Sequence, residues 1–467
     1  MQVATCPHGP PYVRKSCPHL LVEPDIPERV RFFSGVGIEY QWRCPACADA
    51  EDPALAKICA ACERRIEPGA GDQVPYRGKP GILERRSPLH FEHVDLSLST
   101  PLPGDLVGIT PIEAEPNHWL GLCRRGQLVH IDFSNRSWQP VLTLDRTPEG
   151  VMFGEEGYPE AVAMHLRLAA SEPASSKRSG VPASQRLVMR DRATRLPVLL
   201  AASTTGRFLA VCNRWGERGV ALDIQNPSQS LDLKRNYHAE QTDFPAAFAE
   251  SSTGAVLVHG TAWNRLDVTE MTTLRLLSER DTPVGEEGKP LPEHYLDYFH
   301  GGLLVSPDNG WILDNGWVWH PVGVVTTWNL KWWLDRNVWE SEDGPSRRWL
   351  CTRDYLWDAP VTWINDGTVA VWGFGEDDEW MLDAARIYDV QTGEQQRWFA
   401  GPAGNFAFDR YLFSFGESLG TSVWDIQTGE RLLRDEEARP VAFQRSASSF
   451  LSIRNGVFRI SRLVDQT

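Results

Sequence analysis

From about residue 89 onward, short runs of alternating Val, Leu, Ile, Phe and Trp are broken by Gly, Asn, Asp and Pro, with no sustained 3.6-residue period. This pattern predicts strands and tight turns throughout, and so an all-β fold. Two near-copies of one phrase, IYDVQTGEQQ at 387–396 and VWDIQTGERL at 423–432, stand 36 residues apart. In the second, Val423 to Ile426 read as a strand, Thr428-Gly429 as a tight turn and Glu430 to Leu433 as the returning strand. Gly429 supplies the positive φ such a turn needs, and Asp425 accepts hydrogen bonds from backbone N–H groups near it.

Weaker copies of the phrase place further turn marks at Asp132, Asp191, Asp223, Asp267 and Asn329, which with Asp389 and Asp425 make seven. The intervals of 59, 32, 44, 62, 60 and 36 residues fit a repeating unit with inserted loops, one of them the SEPASSKRSGVPASQ stretch at 171–185. After the last mark, PVAF, SFLSI and VFRIS supply three strands. LHFEHVDLSL at 89–98 is the expected fourth, closing the architecture on itself and removing the edges an open sheet would leave.

On these residues the region from 89 to the C-terminus, some four-fifths of the chain, resembles a WD-repeat-like β-propeller. Trp424-Asp425 stands where that family's Trp-Asp pair ends the third strand. SPDNGWIL (306–313) and STTGRFLAV (203–211) look like its turn between the first two strands. The family's Gly-His pair and Asp-His-Ser/Thr-Trp network have no counterpart in the pattern. The resemblance implies seven or eight blades, and the seven marks plus the closing unit favour eight.

Composition changes at the N-terminus. Six of the nine cysteines fall in the first 62 residues, which predicts a metal-binding head at 1–66, a Gly- and Pro-rich linker at 67–88 and the propeller at 89–467. Cys44-x2-Cys47 and Cys59-x2-Cys62 offer four thiolates to one tetrahedral ion, the pattern of a structural zinc site closed to catalysis. This segment resembles a zinc ribbon. Cys6, His8, Cys17 and His19, in two Cys-Pro-His triplets, are candidates for a second zinc. Cys123, Cys212 and Cys351 are expected to be small buried hydrophobes.

Charge is uneven: residues 1–90 hold 12 Lys+Arg and 11 Asp+Glu, while 91–467 hold 35 and 51 within an overall net charge of -15. An acidic propeller argues against a broad electrostatic hold on nucleic acid, leaving only contact through the ribbon as that alternative. No apolar run approaches a membrane span or a signal h-region, so the expected location is the cytoplasm.

Eleven of the 19 tryptophans lie between 311 and 372. Tryptophan dominates interface hot spots, so Trp311, Trp317, Trp319, His320, Trp332 and Trp333 are the candidate partner-binding residues. His294, Asp297 and His300 in EHYLDYFH could be imagined as a base or metal site, but nothing fixes their geometry. GEDDE at 375–379 reads as a solvated hairpin tip. No phosphate loop, nucleophile elbow or His-Glu-x-x-His motif is present. The expectation is a non-catalytic adaptor with a structural zinc head and protein partners. The alternatives are a propeller hydrolase with a central-channel site and nucleic-acid binding through the ribbon. The texture of GWVWHPVGVVTTWNL is also similar to that of bacterial propeller proteins that work beside AAA+ ATPases, which implies a multi-protein, defence-type assembly.

Overall fold

The computed structural model describes residues 82–144, 195–281, 291–319, 322–354, 356–374, 381–454 and 456–465. It also describes the backbone of four short head strands, Arg14–Ser16, Val30–Ser34, Glu39–Arg43 and Ala56–Ile58. The head cysteines and histidines, Asp191, His320 and the GEDDE tip lie outside the described residues.

Seven antiparallel four-stranded sheets form a ring. The innermost strands, here called A, are Leu106–Pro111, Val198–Ala202, Ala246–Ser251, Phe299–Val305, Val361–Asn365, Asn405–Phe408 and Ala442–Gln444, for blades 1 to 7. Strands B, C and D follow outward. The second strands are nearly uninterrupted apolar runs, as in FLAVCN and VAVWGF, because each blade has a neighbour covering both faces. The outermost strands alternate or turn polar, as in NPSQSLDLK of blade 2.

Seven buried apolar clusters fill the seven junctions, one between each neighbouring pair of blades. In the cluster joining blades 1 and 2, Leu120 and Leu122 meet Leu209 and Val211. In the one joining blades 7 and 1, Leu451 and Ile460 meet Val129 and Ile131. The circuit is therefore complete with seven blades, and the count of eight drawn from the turn marks is corrected. The closing blade bears no such mark: its third strand, Val457–Asp465, pairs with the distant N-terminal strand Leu89–Leu96, Phe458 opposite Leu96 and Asp465 opposite Leu89. A strand partnered across the whole chain needs no tight turn, so six marks correspond to six blades. The remaining mark, Asp191, lies outside the described residues, and blades 1 and 2 pack directly on each other.

Five of the marks do one job. Asp132, Asp223, Asp389 and Asp425 each accept the N–H two residues on, while Asn329 accepts Trp332 N–H and so caps the short helix Leu330–Asp335. Asp267 sits inside its strand instead and binds Arg265 and Arg280. Before strand Leu89–Leu96 the chain runs along the rim of blade 6: Arg431 N–H donates to Leu83 O and Arg85 N–H to Arg431 O.

Candidate functional site

The B–C turns and the D–A connections open on one face of the ring, the A–B and C–D turns on the other. On the first face, seven rings meet, two from strands of blade 4 and five from four connections. Phe299 opens strand A of blade 4, and the register sets Trp317, on strand B, directly opposite it. Their rings stack at 4.0 Å with planes 16° apart. Trp263, in the B–C turn of blade 3, lies 4.4 Å from Phe299, and Trp357, between blades 4 and 5, lies 5.7 Å from Trp317. Tyr237 and His238, from the loop between blades 2 and 3, complete the group: Tyr237 lies 5.8 Å from Phe299 and His238 5.1 Å from Trp319.

Local glycines permit this approach. A Cβ on Gly316 would fall 2.1 Å from Phe299 O, and one on Gly301 2.2 Å from Asn315 O, so a side chain at either position would push the two strands apart. Beneath the rings, the Tyr298 hydroxyl receives Gly316 N–H at 2.9 Å and reaches Val324 O at 3.1 Å. Burial, with Asp314 beside it, pushes the Tyr298 phenol well above its usual pKa. Burial also lowers the Arg353 guanidinium to about 10, and its Nη2 donates to Asn315 Oδ1 at 2.6 Å. These polar groups fasten the blade beneath the aromatic layer.

The loop carrying Tyr237 and His238 is strained and clamped. Both residues have left-handed backbone, with φ of 55° and 56°, which costs of order 1–3 kcal/mol each for residues other than glycine. Buried Arg235 holds the loop by donating to Gly216 O, Ala239 O, Thr242 O and Asp243 O. The result is an exposed pair of side chains, Tyr237 at 54% and Trp319 at 52%, on a floor of buried Trp317 and Phe299.

The candidate residues separate. Trp317 and Trp319 belong to this cluster. Trp311 and the helix bearing Trp332 and Trp333 lie at the opposite ends of the blade 4 strands, on the other face. Trp333 is fully buried and donates to Val338 O, whereas Trp332 is partly exposed beneath Arg336. EHYLDYFH does not assemble one site: His294 stacks on Trp339 and meets Asp343 at 2.9 Å, while His300 is buried 2.5 Å from Asp314. Tyr237, His238 and Trp263 carried no signal in the sequence, because their partners lie on other blades. The only local hint was an aromatic pair in a polar loop.

The central channel holds a cavity of about 210 Å³ beside the cluster, lined in part by Arg195, Asp243, Asp358 and Asn405. Arg195 donates to Asn405 Oδ1 at 3.0 Å and lies 3.4 Å from Asp243. Asp243 N–H donates to Asp358, which has a φ of 62°.

No family model matches the chain, and no curated protein matches it. Among solved structures it is similar to one described as "Structure of U3-55K", at 10% identity and a TM-score of 0.43, covering 79% of this chain and 98% of that one.

Proposed function

We propose that the propeller is a docking platform for a protein partner, which it holds across the face bearing Tyr237, His238 and Trp319. The observation that carries this reading is the clamped left-handed pair Tyr237–His238. A loop that bears backbone strain to keep aromatic rings in solvent, beside an exposed tryptophan on a rigid buried floor, has the build of an interface hot spot. The excess of carboxylates over residues 91–467 favours a partner segment that is apolar with basic flanks.

In this reading the head is a zinc-ribbon-like module. Cys44, Cys47, Cys59 and Cys62 hold one structural zinc, with Cys6, His8, Cys17 and His19 available for a second, and the whole acts as an adaptor in a bacterial, ATPase-linked assembly of defence type. The work is binding, not chemistry. The test is affinity capture of the tagged protein from its own cells, wild type against Tyr237→Ala and Trp319→Ala. Stoichiometric partners lost in both folded variants support the reading; partners retained by both, or none captured by the wild type, refute it.

A further inference from the structure

Blade 1 carries a second constellation, on the opposite face from the aromatic cluster. His118 opens strand B and His130 lies on strand C, in a register that pairs His118 with Asp132 and Leu120 with His130. Residues opposite and two apart share a face of a sheet, so the two imidazoles are diagonal neighbours. His118 Nδ1 and His130 Nε2 are 3.0 Å apart, and a Glu115 carboxylate oxygen is 3.4 Å from the same His118 nitrogen. One ligand atom from each of the three residues falls within 4.8 Å of the others.

Ligand atoms about 2.0–2.2 Å from a tetrahedral zinc stand roughly 3.3–3.6 Å from one another. The Glu115–His118 separation has this value already, and the two nitrogens need to part by only a few tenths of an ångström. Behind His118, the other ring nitrogen lies 3.8 Å from Asp132 Oδ1, on the side where a metal-bound histidine commonly meets a carboxylate.

The site is fixed from three blades. Within the turn, Ile112 N–H donates to His118 O and Glu115 N–H to Ile112 O, and Ala114 N–H donates to Thr204 O of blade 2. The buried Gln444 amide of blade 7 donates to Ile112 O and Glu115 O. Glu115 itself is half exposed, which leaves an entry path and an open position for water or a partner's side chain.

We propose that Glu115, His118 Nδ1 and His130 Nε2 bind a divalent transition metal such as zinc, with Asp132 orienting His118. Such nitrogen- and oxygen-rich sets with an open position suit zinc and its neighbours. The test measures bound zinc on full-length protein after dialysis, and the optical spectrum after cobalt(II) loading, for wild type, His118→Ala, His130→Gln and Glu115→Gln. Any metal on the head cysteines is common to all four and cancels in the difference. The expected result is one equivalent fewer in each histidine variant, with affinity at that site down at least about 100-fold, more than loss of an outer partner brings. The lost cobalt component should lack thiolate charge-transfer bands. Glu115→Gln, at an exposed position, should fold normally and bind at least about 10-fold more weakly. Equal zinc in the wild type and the Glu115 and His130 variants, or a lost component with thiolate bands, would overturn the proposal in favour of a simple imidazole–imidazole hydrogen bond.

Discussion

Trp317 and Trp319 stand two residues apart with ring centres 5.8 Å from each other, yet Trp317 is 3% exposed and Trp319 52%. The first is wedged between Phe299, Trp357 and His238; the second projects past the end of its strand. Trp317→Ala should cost about 3–5 kcal/mol, the usual loss for a large buried ring. Trp319→Ala should change stability by no more than about 0.5 kcal/mol. Denaturant unfolding of the two variants checks this. Equal losses would show that Trp319 is part of the core and not a surface offered to a partner.

The ring depends on a strand delivered from the N-terminal side. Phe91 on Leu89–Leu96 packs against Phe413 of blade 6 and Phe450 of blade 7, so it joins two blades as well as closing one. Phe91→Ala should lower stability by about 3–5 kcal/mol. A chain beginning at residue 97 should lose the cooperative transition altogether, leaving Val457–Asp465 as an open, unpaired strand edge. Circular dichroism melts of the two proteins give the answer; a sharp native-like melt of the shortened chain would mean that the ring closes without this strand.

The all-β architecture was legible because its main signal is local. A carboxylate that accepts the N–H two residues on, as in Asp389 and Asp425, writes the same short phrase wherever a blade needs that turn. The number of blades was not, because the phrase at Asp191 has the same local texture as the six that mark blades, and only the seven packed junctions tell them apart. The aromatic site was half legible. Tryptophan enrichment pointed to Trp317 and Trp319, but Tyr237 and Trp263 meet Phe299 only through the stacking of blades. The histidine pair of blade 1 was readable in principle: once the strands ending at Cys123 and beginning at Gln127 are set as a hairpin, His118 and His130 fall on one face.

The two copies of the repeated phrase differ in how tightly their glycines are held. Gly429 and Gly393 share a φ of 77°, but a Cβ on Gly429 would lie 2.7 Å from Phe399 Cβ, whereas at Gly393 the nearest atom is 3.4 Å away in the flexible Arg348 side chain. Gly393→Ala should cost only the backbone strain, about 1–2 kcal/mol. Gly429→Ala should cost clearly more, since it also displaces the core residue Phe399. Chemical unfolding of both variants decides; the reverse order would mean that Phe399 yields without loss.

The zinc proposed for the head should be separable from the propeller. Replacing Cys44, Cys47, Cys59 and Cys62 with Ser should remove one zinc equivalent while the main thermal transition stays within about 2 °C, because seven interface cores hold the ring independently. Elemental analysis and calorimetry on the same samples check both halves. Undiminished zinc would place the metal elsewhere, and a large fall in the main transition would make the head part of the propeller's stability.

Stability should fall in two pH windows with different owners. His259, on strand B of blade 3, is buried and bonded through Nε2 to Thr269 Oγ1 at 3.0 Å, and burial lowers its pKa. The unfolded chain then takes up a proton near pH 6.5 that the folded one refuses, so stability is lost as pH falls from there toward the depressed folded value, and below that value this contribution is constant. Asp223 acts lower. Its hydrogen bond from Arg207, and the charge behind it, hold its pKa below that of the unfolded chain, so its contribution is full above about pH 4 and disappears as pH falls through the folded value. His259→Gln, which can keep the bond to Thr269 without taking a proton, should flatten the upper window and leave the lower one intact. Arg207→Ala should do the opposite. Unfolding free energies measured from pH 8 to pH 3 separate the two, and an upper window unchanged in His259→Gln would move its origin to the other histidines.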